Sequence, residues 1–239
     1  MRSQFERYEY KYYLPAESYN SLIRMISPYM KLDPFLESKG KKSYLVRSLY
    51  LDTDGLKFYY EKLAGISCRK KLRVRAYDQD ESQIFLEIKR KSDEFVTKDR
   101  ACVHYDELYT ILNQYSGYKA NGNGNKAESD VINRYISFIV AMQLHHKVLV
   151  AYQREAYMGI FDDSVRLTLD SNLCCLPGRS YDLFYAGRNW FFIKQPYVLE
   201  LKFNQVMPFF FKKIIEHFDL QRQSVSKYCL CVERIRKYL

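Results

Sequence analysis

The stretch Phe85-Leu86-Glu87-Ile88-Lys89-Arg90-Lys91 alternates bulky apolar side chains with charged ones. In an extended strand, Glu87 and Lys89 share one face, while Leu86 and Ile88 share the other. The alternation therefore predicts a strand with one charged and one apolar face. The same spacing recurs in Arg7-Tyr-Glu9-Tyr-Lys11, Arg73-Val-Arg75, Arg166-Leu-Thr168-Leu-Asp170 and Glu200-Leu-Lys202.

A sheet built from such strands has two interpretations. Its charged face can simply lie in water above a core, or the sheet can close into an antiparallel barrel with a polar lumen and an outer wall packed under helices. We favour the barrel, because the charged faces combine many cations with few carboxylates and the opposite faces are apolar enough to need helical cover. Arg and Lys in the lumen would bind a polyanion, and interspersed Glu could hold a divalent metal that phosphates complete. The predicted fold class is thus α+β, with a closed antiparallel β-barrel covered by peripheral helices.

The composition is compatible with one large β-rich domain or with two small ones. The chain has 239 residues, a hydrophobic content of 47% and a formal net charge of +10, which predicts an anionic partner without identifying it. We expect a single domain over residues 1–239. The run Asn121-Gly-Asn-Gly-Asn125 marks a mobile surface loop at residues 116–129.

Several function classes are disfavoured by the sequence. The six cysteines form no CxxC pair and only four histidines accompany them, so we expect reduced, buried thiols rather than a zinc site. The 23 tyrosines are better explained as strand residues than as base-stacking rings. The N-terminus has no apolar signal core, and no window approaches the ~20 apolar residues of a membrane span. We therefore expect a cytoplasmic protein with no membrane segment and no nucleic-acid partner.

Periodicity and turn residues place the elements along the chain. Strands are predicted near residues 5–14, 44–52, 67–77, 83–91, 96–104, 147–158 and 165–169, with one or two short strands in 190–202 around Pro196. Helices are predicted near residues 16–27, 58–63, 106–114, 130–142, 208–218 and 226–238. Residues 67–104 should form an antiparallel meander of three strands.

The charged strands, taken in order, resemble the VTC domain, the catalytic domain of the polyphosphate polymerase within the triphosphate tunnel metalloenzyme (CYTH-like) superfamily. The resemblance covers almost the whole chain. The residues that carry it are Glu6-Arg-Tyr-Glu9-Tyr-Lys11, Ser48-Leu-Tyr-Leu-Asp52, Lys71-Leu-Arg73-Val-Arg75, Leu86-Glu87-Ile-Lys89, Tyr152-Gln-Arg154, Val165-Arg166-Leu-Thr-Leu-Asp170, Leu199-Glu200-Leu-Lys202 and Ser224-Val-Ser-Lys227-Tyr228.

The resemblance implies a function and a set of site residues. Members of the family bind ATP by its phosphates and transfer the terminal phosphoryl group onto inorganic polyphosphate with a divalent metal, Mn²⁺ or Mg²⁺. The implied catalytic phosphate ligands are Lys11, Arg73, Arg75, Lys89, Arg154, Arg166 and Lys227. Lys98, Tyr152 and Ser226 would contact substrate, Glu200 would be the main metal carboxylate, and Glu9 and Glu87 would assist it.

Alternatives remain open for both the residues and the function. Glu9 and Glu87 can equally hold the cations in structural ion pairs. Arg100 and Lys202 each share a face with a predicted ligand and can be no more than its neighbours. The same basic tunnel could present water as the acceptor and hydrolyse tripolyphosphate or nucleoside triphosphates, although Lys227 in Ser-Lys-Tyr favours the polymerase type. A non-catalytic binder of polyphosphate or nucleotide is the third alternative.

Overall fold

The protein is described from a computed structural model. The structure describes residues 7–78, 80–92, 95–113, 126–178, 182–187 and 189–239. Strands paired in antiparallel register are combined with helices, so the predicted α+β class is confirmed.

The strands carry the alternating sequences that opened the analysis. They are β1 (Arg7–Leu14), β2 (Met30–Leu32), β3 (Tyr44–Asp52), β4 (Arg69–Tyr77), β5 (Ile84–Ser92), β6 (Phe95–Val103), β7 (His145–Gly159), β8 (Arg166–Pro177), β9 (Phe191–Phe192) and β10 (Tyr197–Asn204). The predicted meander is confirmed, because β4 pairs with β5 and β5 pairs with β6 in antiparallel register. The prediction ended this strand at Leu169, but β8 continues to Pro177 and passes through Asn172, which lies in the left-handed region at a φ of 53°.

Helices follow the strands in the predicted order. They are α1 (Tyr19–Ile26), α2 (Pro34–Ser38), α3 (Lys57–Leu63), α4 (Tyr105–Asn113), α5 (Lys126–Met142), α6 (Phe209–His217) and α7 (Lys227–Ile235), with 3-10 turns at Ala16–Ser18 and Arg236–Tyr238. Strand β2 and helix α2 were not predicted, because three and five residues are too few to show a period. Residues 116–125 of the predicted loop lie outside the described residues, and residues 126–129 begin α5.

The chain divides into two compact units that interleave along the sequence. The first comprises Met1–Leu45, Tyr152–Leu173 and Lys194–Ser226, and the second comprises Val46–Ala151, Cys174–Ile193 and Lys227–Leu239. The long strands β7 and β8 contribute residues to both units. The single domain predicted from the sequence stays a prediction.

The first unit is a sheet with a helix-covered apolar face. Strand β10 lies between β1 and β8 in antiparallel register. The apolar side chains of these strands, including Leu14, Leu167 and Leu201, form one buried core with Leu22 of α1 and Phe211 of α6. At ~25 cal/mol per Å² of apolar surface removed from water, this burial fixes which face of the sheet is covered.

The second unit repeats the arrangement with different elements. Strands β3, β4, β5 and β6 pair in that order. Their apolar face, with Leu72 and Ile88 among its members, packs against Phe58 of α3, Ile111 of α4 and Tyr135 of α5. Helical cover over the apolar face was therefore predicted correctly for both units, whereas closure of the strands into a tunnel stays a prediction.

Two further expectations concern cysteines and membranes. Cys68 is exposed, so the expectation of buried thiols was wrong for this residue. Cys68 immediately precedes β4, and its Sγ lies 3.4 Å from Ser92 Oγ at the exposed end of β5. This position explains why the thiol is exposed. Among the described residues, we find no helix with the length and apolar character needed to cross a membrane.

Candidate functional site

Strand register places the charged side chains of the first unit on one face. Lys11 lies directly opposite Glu200, and Glu9 lies opposite Lys202. Residues directly opposite each other in antiparallel strands point to the same side of the sheet. We call the resulting group the first-unit cluster, and it consists of Glu9, Lys11, Arg154, Asp170, Glu200 and Lys202.

Ion pairs connect the members of the first-unit cluster. Lys11 Nζ lies 2.6 Å from Glu9 Oε1, and Lys202 Nζ lies 2.9 Å from Glu200 Oε1. Arg154 donates to both oxygens of Asp170, from Nε at 2.6 Å and from Nη2 at 2.8 Å. Such a two-point contact fixes the plane of the guanidinium, whose Nη2 also lies 3.9 Å from Glu200.

The neighbouring charges in this cluster shift the pKa values of Glu200 and Lys11 so that both side chains stay ionised. Burial by itself would raise the pKa of Glu200, but Lys202, Lys11 and Arg154 hold it well below the usual carboxyl range. Burial would lower the pKa of Lys11, but Glu200 and Glu9 outweigh that effect and raise it. Both groups are therefore charged at neutral pH.

Three other predicted site residues belong to the first unit. The ring of Tyr152 is 5.3 Å from the guanidinium carbon of Arg154, so Tyr152 packs against a cluster member. Arg166 is the first residue of β8 and lies opposite Lys202, and its Nη1 is 3.5 Å from Asp33. Ser226 is buried immediately before α7.

A second charged group lies on the polar face of the second unit. Its centre is Glu87, whose side chain is 1% exposed. Arg73 Nε lies 2.6 Å from Glu87 Oε2, and Lys98 Nζ lies 2.6 Å from Oε1. Arg100 and Arg75 follow at 3.5 and 3.9 Å. We call Arg73, Arg75, Glu87, Lys98 and Arg100 the second-unit cluster.

Two lysines extend the positive charge of the second-unit cluster. Lys89 lies directly opposite both Lys71 and Lys98, so the three ammonium side chains share the face of Glu87. Burial by itself would raise the pKa of Glu87, but Arg73, Arg75 and Lys98 lower it far below its usual value. Cations thus greatly outnumber the carboxylate, and the face is suited to a polyanion.

Lys227 is the first residue of α7, and its neighbour Tyr228 joins that helix to the second-unit sheet. The hydroxyl of Tyr228 donates to Asp52 Oδ2 at 2.5 Å, and the Tyr228 ring lies 5.0 Å from the ring of Tyr50. The Lys71 ammonium lies 5.9 Å from the Tyr228 ring. Tyr228 therefore attaches the start of α7 to β3, the strand that pairs with β4 and its residues Arg73 and Arg75.

The predicted metal carboxylates differ in their fit to a cation. No group of three or more His, Cys, Asp or Glu side chains that could hold a metal occurs among the described residues. Glu9 and Glu200 lie on the same face of the adjacent strands β1 and β10, and Thr168 Oγ1, opposite Glu200, is buried with no hydrogen-bond partner in the described part of the chain. Because Mg²⁺ commonly takes one or two carboxylates and completes its shell with phosphates, these oxygens fit a divalent ion. Glu87 does not fit, since four cations surround it, and the structural alternative is favoured for this residue.

The sequence analysis did not identify the residues that hold the predicted phosphate ligands in place. Asp170 was quoted in the alternating pattern of β8 but received no role, although it orients Arg154. Asp52 and Tyr50 were quoted in the same way. Alternation could have placed all three on the polar faces, whereas their contacts depend on residues far away in the sequence.

Comparison with known proteins identifies the family. The sequence model of the VTC domain matches residues 6–236. The chain belongs to the VTC domain family. The resemblance noted from the charged strands is thereby confirmed over almost its full length, and the two clusters lie on strands within the matched VTC region. A search of curated protein sequences gives no match.

Solved structures align with almost the whole of this VTC domain. One is a Bacillus halodurans protein for which adenylate cyclase activity has been suggested, with 15% identity, a TM-score of 0.50, and coverage of 97% of this chain and 96% of the other. Another is the PH1819 protein of Pyrococcus horikoshii, with 10% identity, a TM-score of 0.48, and coverage of 95% and 99%. At 15% identity, the similarity to the Bacillus halodurans protein concerns the fold alone.

Proposed function

We propose that this VTC domain is a metal-dependent polyphosphate polymerase. It would transfer the terminal phosphoryl group of ATP onto the end of a polyphosphate chain: the bond between the γ-phosphorus and the bridging oxygen breaks, ADP leaves, and a chain-end oxygen forms the new bond. The observation that carries the proposal is the second-unit cluster, where four cations converge on one buried carboxylate within a chain of the VTC family. We propose a tunnel domain over residues 1–239 as its setting.

The charged side chains suit phosphoryl transfer. That reaction needs positioned reactants and neutralised phosphate charge more than covalent help from the protein. Arg73, Arg75, Arg154 and Arg166 would bind non-bridging oxygens through planar guanidiniums, which match phosphate geometry. Lys11, Lys89, Lys98 and Lys227 would act as movable point charges, and Tyr152 and Ser226 would contact substrate.

The carboxylates have two different roles in this proposal. Glu200, with Glu9, would hold a divalent ion, and the bound ion would neutralise charge on the phosphates. Glu87 keeps Arg73 and Arg75 in place as a fixed counter-charge. Asp170 does the same for Arg154. Phosphates and carboxylates can thus occupy the same face without mutual repulsion.

Incubation with ATP and Mn²⁺ or Mg²⁺ tests the proposal when long-chain polyphosphate, ADP and orthophosphate are resolved separately. Polyphosphate with a matching amount of ADP is expected. ADP and orthophosphate without polymer, or cleavage of tripolyphosphate in a parallel reaction, would replace the polymerase by a triphosphatase. Binding without turnover of either substrate would leave a binding protein.

A further inference from the structure

Tyr50 is a buried phenol in direct contact with a predicted phosphate ligand. Its hydroxyl accepts a hydrogen bond of 3.0 Å from Arg73 Nη1, while Nε of the same guanidinium pairs with Glu87 at 2.6 Å. Tyr50 lies directly opposite Arg73 in the pairing of β3 with β4, and it is 6% exposed. Two fixed partners on adjacent strands therefore determine the orientation of the Arg73 guanidinium.

The ring of Tyr50 packs against a second buried tyrosine, Tyr228. The two ring centroids are 5.0 Å apart, with a tilt of 31° between the rings. The Tyr228 hydroxyl donates to Asp52, and the same carboxylate accepts from the backbone N–H groups of Phe58 at 2.9 Å and Tyr59 at 3.1 Å. Asp52 and Tyr228 are both buried. These hydrogen bonds fix Asp52 to the start of α3. Asp52 in turn fixes Tyr228, whose ring holds the Tyr50 ring in place.

The charges that face Tyr50 come from each strand and helix around it. On β4 they are Arg73, Lys71 and Arg75. Glu87 on β5 is paired with Arg73, and Tyr228 on α7 is held neutral because burial and the Asp52 carboxylate both raise its pKa. Burial by itself would raise the pKa of Tyr50, but the three cations lower it to about 8.

We propose that Tyr50 is a positioning residue for Arg73: its neutral hydroxyl holds the guanidinium in the orientation that binds phosphate. This inference rests on the proposed function, since it takes Arg73 as a phosphate ligand. The hydroxyl accepts one guanidinium hydrogen without placing a second negative charge beside Arg73, which is already paired with Glu87. The phosphate then meets a correctly oriented cation.

The proposal has a consequence at alkaline pH. Loss of the phenolic proton converts Tyr50 into an anion 3.0 Å from Arg73, and this anion neutralises the guanidinium and repels phosphate. Phosphate affinity of the wild-type protein should therefore fall as Tyr50 titrates. A phenylalanine at this position has no such titration, so the two proteins should differ in their pH profiles.

Calorimetric titration of the full chain with inorganic tripolyphosphate, without metal, tests the inference in the wild type and in Tyr50→Phe. At neutral pH we expect the variant to bind about fivefold more weakly, as loss of one net hydrogen bond implies. Between about pH 7 and about pH 9 the ratio of the two affinities should approach one. Taking the ratio cancels the ionisation of tripolyphosphate itself.

The matched control is Tyr60→Phe. Tyr60 also accepts a hydrogen bond from an arginine, Arg236 Nη2 at 2.5 Å, but it lies on the exposed side of α3. This variant should bind tripolyphosphate as the wild type does at every pH. Tyrosinate absorbance provides a second measurement, because Tyr50→Phe should remove a phenol whose pKa is lowered to about 8.

Equal affinity of the wild type and Tyr50→Phe at neutral pH, or an affinity ratio that does not change with pH, would overturn the inference. Failure of the wild type to bind tripolyphosphate would overturn both the inference and the proposed function. Tight, Tyr50-dependent binding without polymer formation from ATP would support the inference and remove only the polymerase.

Discussion

Glu87→Gln is the substitution that tests the second-unit cluster most directly. The change keeps the size of the side chain and removes the one negative charge on which Arg73, Lys98, Arg100 and Arg75 converge at 2.6–3.9 Å. Breaking a buried ion pair from one side costs about 3–5 kcal/mol, because the remaining charge stays uncompensated. Lys98 and Arg100 are more than a third exposed, so water screens them and the lower end of that range applies.

We therefore expect Glu87→Gln to lower the free energy of unfolding by about 3 kcal/mol. For a chain of this size, that loss corresponds to a fall of about 6–12 °C in Tm. Thermal unfolding followed by circular dichroism measures it. Tripolyphosphate should raise the Tm of the variant more than that of the wild type, since phosphate oxygens can replace the missing carboxylate.

The matched control is Glu216→Gln on α6. Glu216 pairs with Lys213 at 3.1 Å, but both side chains are more than half exposed. Such a pair contributes about 0–1 kcal/mol, so the control should unfold close to the wild type. If Glu87→Gln also stays within about 1 kcal/mol of the wild type, the cations do not depend on Glu87 and the reasoning fails.

Three further predictions concern activity and acid stability. Arg73→Ala and Arg166→Ala should each reduce polyphosphate synthesis at least ~10-fold while circular dichroism shows an intact fold, and normal turnover in both would remove the tunnel assignment. Glu200→Ala should abolish the dependence of nucleotide binding on Mn²⁺ or Mg²⁺, as measured by calorimetry with and without metal; a variant whose binding still required metal would exclude Glu200 as its ligand. Acid should destabilise the fold, because the pKa values of Glu87 and Glu200 are lower in the folded than in the unfolded chain. The stability that these two carboxylates contribute is present above about pH 4.5, and it is lost as pH falls towards their folded-state pKa values. Denaturant unfolding at a series of acidic pH values measures this loss, which should be smaller in Glu87→Gln.

The sequence by itself determined most of the strands, their faces and the charged residues that lie on the polar faces. These properties are local, because a period of two residues decides both the strand and the side of the sheet that each residue occupies. Glu87 and Lys89 could be placed on one polar face before any partner strand was known. The same local pattern could not reveal β2 or α2, since Met30–Leu32 and Pro34–Ser38 are too short to show a period.

Only the tertiary structure decided how the charges are paired. Arg73 meets Glu87 because the register of β4 with β5 sets them opposite each other, and Arg154 reaches Asp170 from another strand. Tyr228 contacts Asp52 across 176 residues of sequence. Contacts between distant segments depend on which strands become neighbours and in what register, and core burial over the whole chain sets that choice. For this reason, the sequence indicated that Glu87 is charged and faces its cations, whereas the fold decided that four of them surround it.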